Sequence, residues 1–241
     1  MCDPAPMTPD IVPLGTDALL VRFADRLDDR ANRRAVAFRA MLEAAPVDGV
    51  LETAPALGSV LVRIDPKAEG AVRAALAGRM GAVPEAAPEG ARTWTLPCAF
   101  GGTDGPQLGE AAALAGMTEA EAVRALCAAP IRVLALGFAP GMPYLGILPP
   151  EWDLPRQSAL TPTVEPGALV LAVRQMVLFG TRAPTGWRQV ARTGFRPFDL
   201  SRPEPVALAA GDVVRLRALP SDEVDAMALA DPRGLGGATV E

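Results

Sequence analysis

Leu136-Gly137-Phe138-Ala139-Pro140-Gly141-Met142-Pro143-Tyr144-Leu145-Gly146 leaves a strand-length apolar run, 131–138, and crowds three glycines and two prolines into one bend. Glycine lets the backbone adopt left-handed angles and approach another group closely. Proline holds φ fixed and removes a donor. Together they predict a stiff loop after a strand, with backbone amides able to face a ligand. Tyr144 is the single tyrosine of the chain. The alternative reading is a tight barrel corner with a packed tyrosine.

Outward from this bend the pattern is consistent. From Arg132 to Leu219, short apolar runs are broken by Gly and Pro turns, and Gly211-Asp212 turns into a final strand over 213–216. That spacing predicts a β-barrel. Upstream, Thr93–Phe100 reads as a strand and Gly101-Gly102 as a turn. A helix is predicted over 107–115. A second opens at Thr118 with a T-x-x-E box to Glu121 and ends near Cys127. Residues 82–91, rich in Ala, Pro, Gly and Glu, read as a linker. Before it lies a β-β-α-β-β-α order. Strands fall at 11–14 and 18–23, with Leu19, Val21 and Phe23 on one face. Asp28 caps a helix reaching about Ala45. Strands follow at 50–53 and Ser59–Ile64, and Asp65-Pro66 opens a helix over 68–80 that ends near Gly81. This describes an α+β lobe, one antiparallel sheet with helices on one face. The expected boundaries are a lobe at 10–81, a linker at 82–91, a barrel at 92–219 and a tail at 220–241. The tail carries either a short helix or no fixed structure.

Composition narrows the chemistry. The 241 residues are 50% hydrophobic with a formal charge of −5, enough apolar material for packed cores. No basic run and few aromatics disfavour nucleic acid as a partner. No apolar run is long enough to span a membrane. Met1-Cys2-Asp3-Pro4 has neither a basic nor an apolar leader region, so the cytoplasm is the expected location. Cys2, Cys98 and Cys127 are widely spaced, with no C-x-x-C, so no metal is expected on protein ligands. Histidine is absent. This removes Ser-His and Cys-His pairs and histidine general bases. Carboxylates, arginines, hydroxyls, amides and backbone donors remain. The scarcity of lysine, Lys67 alone, reads as a composition bias.

The bend resembles the G-F-x-P-G-F-P-Y-L-G motif of the 5-oxoprolinase B-subunit family, also described as allophanate hydrolase subunit 1, the carboxyltransferase C/D domain and the Kip-type kinase inhibitor. The resemblance continues through Pro155-Arg156, Val164-Glu165-Pro166-Gly167-Ala168-Leu169, Gln175, Pro184-Thr185-Gly186-Trp187, Arg192-Thr193 and Phe198-Asp199. Upstream it includes Pro13-Leu14-Gly15-Thr16-Asp17-Ala18 and Gly105-Pro106-Gln107-Leu108. It covers about residues 10–219. It implies an α+β lobe followed by a cyclophilin-like β-barrel.

It also implies one component of an ATP-dependent complex that opens 5-oxoproline to glutamate, working with a larger C-type subunit plus a separate A-type subunit. A related reading is the carboxyltransferase part of a urea or allophanate system. ATP follows from the resemblance alone, since no G-x-x-x-x-G-K-[ST] loop is present.

Several positions depart from the family pattern. Leu126-Cys127 stands for a Leu-His pair, Leu160-Thr161 for a second Pro-Arg, and Val173-Arg174-Gln175-Met176-Val177 for Gly-Gly-Gln-Thr-Gly. Phe179 stands for a tyrosine, Gln107 for an acid and Gly58 for an arginine. Cys127, at a helix C-terminus where the dipole disfavours an anion, reads as a small buried residue rather than a nucleophile, as does Cys98. Glu110, Glu119 and Glu121 read as solvated, with Glu121 serving the cap.

The expected catalytic residues are Arg192 and Arg156, as forks for anionic groups, and Gln175, as donor and acceptor to an amide. Gly137, Phe138, Pro140, Gly141, Pro143, Tyr144, Gly186, Trp187 and Thr193 are the expected small-amide binding residues. A pocket joining Tyr144, Gln175 and Arg192 is the expected centre. The alternative is a weakened component with a structural or regulatory role, such as a Kip-like histidine kinase inhibitor.

Overall fold

The computed structural model describes residues 8–84 and 91–241, which divide into two compact units at Ala91/Arg92. Cys2 and residues 85–90 of the expected linker lie outside the described residues.

In the first unit, β1 (Asp10–Pro13), β2 (Ala18–Arg22), β3 (Val50–Pro55) and β4 (Ser59–Ile64) form an antiparallel sheet of order β1-β2-β4-β3. Helices α1 (Asp29–Ala44) and α2 (Glu69–Met80) complete it. Alternation does the sorting: Leu19, Val21 and Phe23, with Val60, Val62 and Ile64, are buried in one cluster. Phe38 and Leu42 of α1 and Val72 and Leu76 of α2 enter the same cluster, so both helices cover one face of the sheet. Asp28 caps α1 by accepting from Ala31 N at 2.7 Å.

In the second unit, seven strands close a barrel in the order β12-β9-β10-β7-β6-β13-β5 and back to β12. They are β5 (Thr93–Phe100), β6 (Ile131–Leu136), β7 (Pro143–Gly146), β9 (Ala168–Ala172), β10 (Gln175–Leu178), β12 (Arg188–Thr193) and β13 (Val213–Ala218). All ring pairings are antiparallel except β13 with β5, which is parallel. Pro97 falls in β5 between the residues that pair with β14 (Thr239–Val240) and those that pair with β12, where a missing N–H is tolerated. Leu169 and Leu171 of β9 and Met176 and Leu178 of β10 point into the barrel core. Their neighbours Val170, Ala172 and Val177 point outward into a second cluster, which the two-stranded ribbon β8 (Thr161–Val164) and β11 (Ala183–Thr185) covers with Val164 and Ala183.

Helices α3 (Leu108–Leu114) and α4 (Glu119–Ala128) send Leu108 and Leu126 into the barrel core, as does the segment around Trp152. The Thr118–Glu121 capping box forms in both directions. The stretch read from sequence as a tail holds α5 (Ser221–Ala230), and β14 joins β5, so both belong to the second unit. No helix among the described residues is long and apolar enough to cross a membrane.

Candidate functional site

On the outer face of the barrel, under the β8–β11 ribbon, lies a cavity of about 270 Å³. Tyr144 on β7 and Val177 on β10, paired across the strands, form part of its wall. Trp187 stands at the turn into β12, its ring 6.5 Å from that of Tyr144 in an edge-on arrangement. Phe179 and Met142 add apolar wall, and Gly186 lines the cavity beside Leu160.

The cavity has one cation. Arg156 holds its guanidinium 5.6 Å over the Trp187 ring, and no carboxylate among the described residues pairs with it. An exposed arginine against an aromatic face, free of an internal counter-ion, suits a ligand carboxylate.

The mouth is apolar. Phe138, 74% exposed, and Leu160, 67% exposed, both line it. Phe138 sits at φ 69°, a region that bulky residues rarely enter, and strain of this kind gathers at binding sites. The bend itself closes internally: Gly137 N donates to Met142 O and Met142 N to Ala139 O. Gly141 is required by its φ of 65° and by Pro197 O, which an added Cβ would meet at 2.9 Å. The contribution of the bend to the cavity is therefore the side chains of Phe138, Met142 and Tyr144. Gly137, Pro140, Gly141 and Pro143 shape the loop without lining the cavity.

The structure does not gather the expected trio of Tyr144, Gln175 and Arg192, and that expectation is corrected. Arg192, near the end of β12, is held by Asp104 at 2.6 Å and Asp225 at 2.7 Å, with Ser221 Oγ at 3.2 Å. Partial burial works against its charge, but the two carboxylates together outweigh it and raise the already high pKa. Arg192 joins the loop after β5 to α5 and does not reach the cavity. Thr193 is buried; its Oγ1 accepts from Phe195 N and its N donates to Gly167 O. Gln175, 6% exposed, faces Gly146 two register steps beyond the Tyr144–Val177 pair, and its Oε1 has no hydrogen-bond partner among the described residues.

Two sequence departures meet in space. Gln107 Nε2 lies 3.5 Å from Thr161 Oγ1 and donates to Gln157 Oε1 at 2.7 Å, while its Oε1 accepts from Gln189 N. An acid and an arginine of the family pattern are thus replaced by a neutral network. A third departure keeps its geometry without glycine. Val173 and Arg174 form the β9–β10 turn at φ 46° and 61°. The segment before Arg156 braces this turn: Val173 N donates to Leu154 O, Arg174 N to Trp152 O and Arg174 Nε to Leu148 O.

Glu110, read as solvated, is half-exposed and in addition pairs with Arg188 at 2.9 Å. Sequence inspection also missed Asp212, which accepts from Arg92, Trp94 Nε1 and Ala209 N. Burial pushes the thiol pKa values of Cys98 and Cys127 up, away from nucleophile chemistry. No cluster of metal-ligating side chains occurs among the described residues. A larger cavity of about 510 Å³ in the first unit has its arginines engaged by the fold, Arg34 donating to Met80 O and Arg73 to Ile11 O.

Known proteins share this architecture. The sequence profile of the carboxyltransferase domain, subdomain C and D, matches residues 9–208. A Bacillus subtilis (strain 168) protein named as the B subunit of 5-oxoprolinase is 29% identical over 217 residues, 84% of this chain and 89% of the relative. The solved structure of TTHA0988 superposes with a TM-score of 0.72 at 28% identity over 85% of this chain, which spans only 40% of that one. The Kluyveromyces lactis urea amidolyase shares the fold, with a TM-score of 0.75 at 16% identity, over 100% of this chain and 16% of its own length. The chain belongs to the carboxyltransferase C and D subdomain family, as a divergent member beside proteins named as 5-oxoprolinase B subunits.

Proposed function

We propose that the chain is a non-autonomous subunit of an ATP-dependent amide-hydrolysing complex of the 5-oxoprolinase type, and that its barrel cavity receives the carboxylate-bearing cyclic amide. The observation that carries this reading is Arg156, an unpaired guanidinium over Trp187 at the edge of a mostly apolar cavity. 5-Oxoproline has that pairing of features, a small flat ring bearing one carboxylate. The names of the relatives support the class of complex.

A lactam is a stable amide. Phosphorylation of its carbonyl oxygen from ATP would turn that oxygen into a leaving group, and the task left to this chain is to hold and orient the ring. Tyr144 and Trp187 flank it, Arg156 fixes its anionic end, and Phe138 and Leu160 screen the mouth from water. The nucleotide and the rest of the machinery fall to a larger C-type partner and a separate A-type protein of the same complex. The test is co-expression with those two partners and assay of ATP hydrolysis. Hydrolysis that depends on 5-oxoproline supports the reading; a complex that forms but hydrolyses no ATP on adding 5-oxoproline refutes it.

The neutral Gln107–Gln157–Thr161 network favours a second reading, a regulatory subunit with reduced chemistry. Inhibition of a histidine kinase by the lone chain is its signature.

A further inference from the structure

We propose that Arg188 is a positioning residue, whose buried guanidinium fixes the backbone that presents Arg156 to the cavity; the inference rests on the reading of Arg156 as the anion-binding group. Arg188 opens β12 and is only 6% exposed. Its Nε donates to Glu110 Oε1 of α3 at 2.9 Å, and its Nη1 donates to the carbonyl of Pro155 at 2.6 Å. Pro155 immediately precedes Arg156. Having no N–H, it offers the backbone a single hydrogen-bonding group, and Arg188 takes it.

On the other side of Arg156, Gln157 N donates to Gly186 O at 2.7 Å and Gln157 Nε2 to Trp187 O at 2.9 Å. Both neighbours of Arg156 are thus tied to the barrel, while the Arg156 side chain itself is exposed over Trp187.

Stability alone is a weak reason to keep an ion at this position. A buried charge whose partner is half-exposed, as Glu110 is, gains little from the pairing, and even a fully buried ion pair is often replaced by apolar side chains of similar volume without loss. What an apolar side chain cannot supply is the bond to Pro155 O. Glu110 also neutralises the charge of Arg188, which leaves Arg156 as the cation that meets a ligand anion. A guanidinium held by a fixed backbone loses less freedom on binding than one on a loose segment.

The experiment combines backbone ¹⁵N relaxation with ligand affinity in the full chain. In the wild type, the Arg156 and Gln157 amides should show order parameters near the rigid value of about 0.85. In Arg188→Met, Arg156 should fall below about 0.6 while the amides of β9 and β10 stay rigid. Affinity for 5-oxoproline should drop by about tenfold in Arg188→Met, whereas 2-pyrrolidinone, the ring without its carboxylate, should change by less than about twofold. Arg188→Lys, which keeps the charge without the fork, should restore part of both signals.

A rigid Arg156 amide in Arg188→Met, or equal losses for the two ligands, overturns the proposal. If the wild type binds neither ligand, the functional reading fails while the relaxation data still decide the positioning. If Arg188→Met does not fold, Glu110→Gln decides in its place. Glu110 is half-exposed and its replacement leaves no cavity. Partial loss of order at Arg156 supports the proposal, and unchanged order overturns it.

Discussion

Replacing Arg192 separates a structural from a chemical reading of the residue that the sequence marks most strongly. In Arg192→Ala, Asp104 loses its partner at 2.6 Å while only 13% of its side chain is exposed. Removing one member of a buried pair destabilises by about 3–5 kcal/mol, and the partial exposure of Arg192 discounts this to about 2–3 kcal/mol. The Asp225 contact adds less than about 1 kcal/mol, since that carboxylate is largely exposed. For a chain of this size, each kcal/mol moves the melting temperature by about 2–4 °C, so a fall of about 4–16 °C is expected by calorimetry. Asp104→Asn in the Arg192→Ala background should recover much of it, because the orphaned charge is then gone. An unchanged melting temperature together with lost binding of 5-oxoproline would refute the structural reading and return Arg192 to the site.

Other expectations follow from the same physics. Val173→Gly should raise the melting temperature by about 2–4 °C, because a β-branched residue at φ 46° stores about 1–2 kcal/mol that glycine does not, offset in part by lost packing. Asp212→Ala should destabilise by about 3–5 kcal/mol, measured by urea unfolding, because Arg92, Trp94 Nε1 and Ala209 N lose a shared buried acceptor. Burial holds the folded Cys98 pKa above the ordinary value of 9.0. Its contribution to stability is therefore complete below pH 9, declines as pH rises from there toward the folded value, and that decline should be absent in Cys98→Ala. Site-resolved alkylation of the native chain at pH 8 should accordingly spare Cys98.

Much of the fold is legible because period and punctuation are strong. Leu19, Val21 and Phe23 alternate cleanly, Asp28 and Thr118 cap as their positions demand, and Gly105 fits where backbone crowds β12: a Cβ there would lie 2.0 Å from Val190 O. The parallel β13–β5 pairing that closes the barrel is set by long-range packing, and nothing in the period of either strand signals it.

The site is legible in part. The bend carries special backbone needs that show in residue type, and it does meet the Gly186-Trp187 turn at the cavity. Arginine side chains show nothing of their partners in sequence. Arg156, Arg188 and Arg192 look alike on paper, and only the placement of Trp187, Glu110 and Asp104 gives them different roles. Glu110 is solvated as its helix phase suggests, but its pairing with Arg188 on the neighbouring strand is not visible in sequence. The Val173-Arg174 turn shows the converse, a glycine-demanding geometry that survives the loss of glycine because neighbouring carbonyls brace it.

The most direct measurement is kcat/KM for 5-oxoproline-dependent ATP hydrolysis by the reconstituted complex carrying wild-type chain, Arg156→Ala or Arg192→Ala. One lost charge-assisted contact to a carboxylate predicts a fall of roughly 10- to 100-fold for Arg156→Ala. Arg192→Ala, assayed well below its melting temperature, should stay within about threefold of wild type, as its effect lies in stability rather than in substrate contact. Equal activity of Arg156→Ala and wild type would contradict the account.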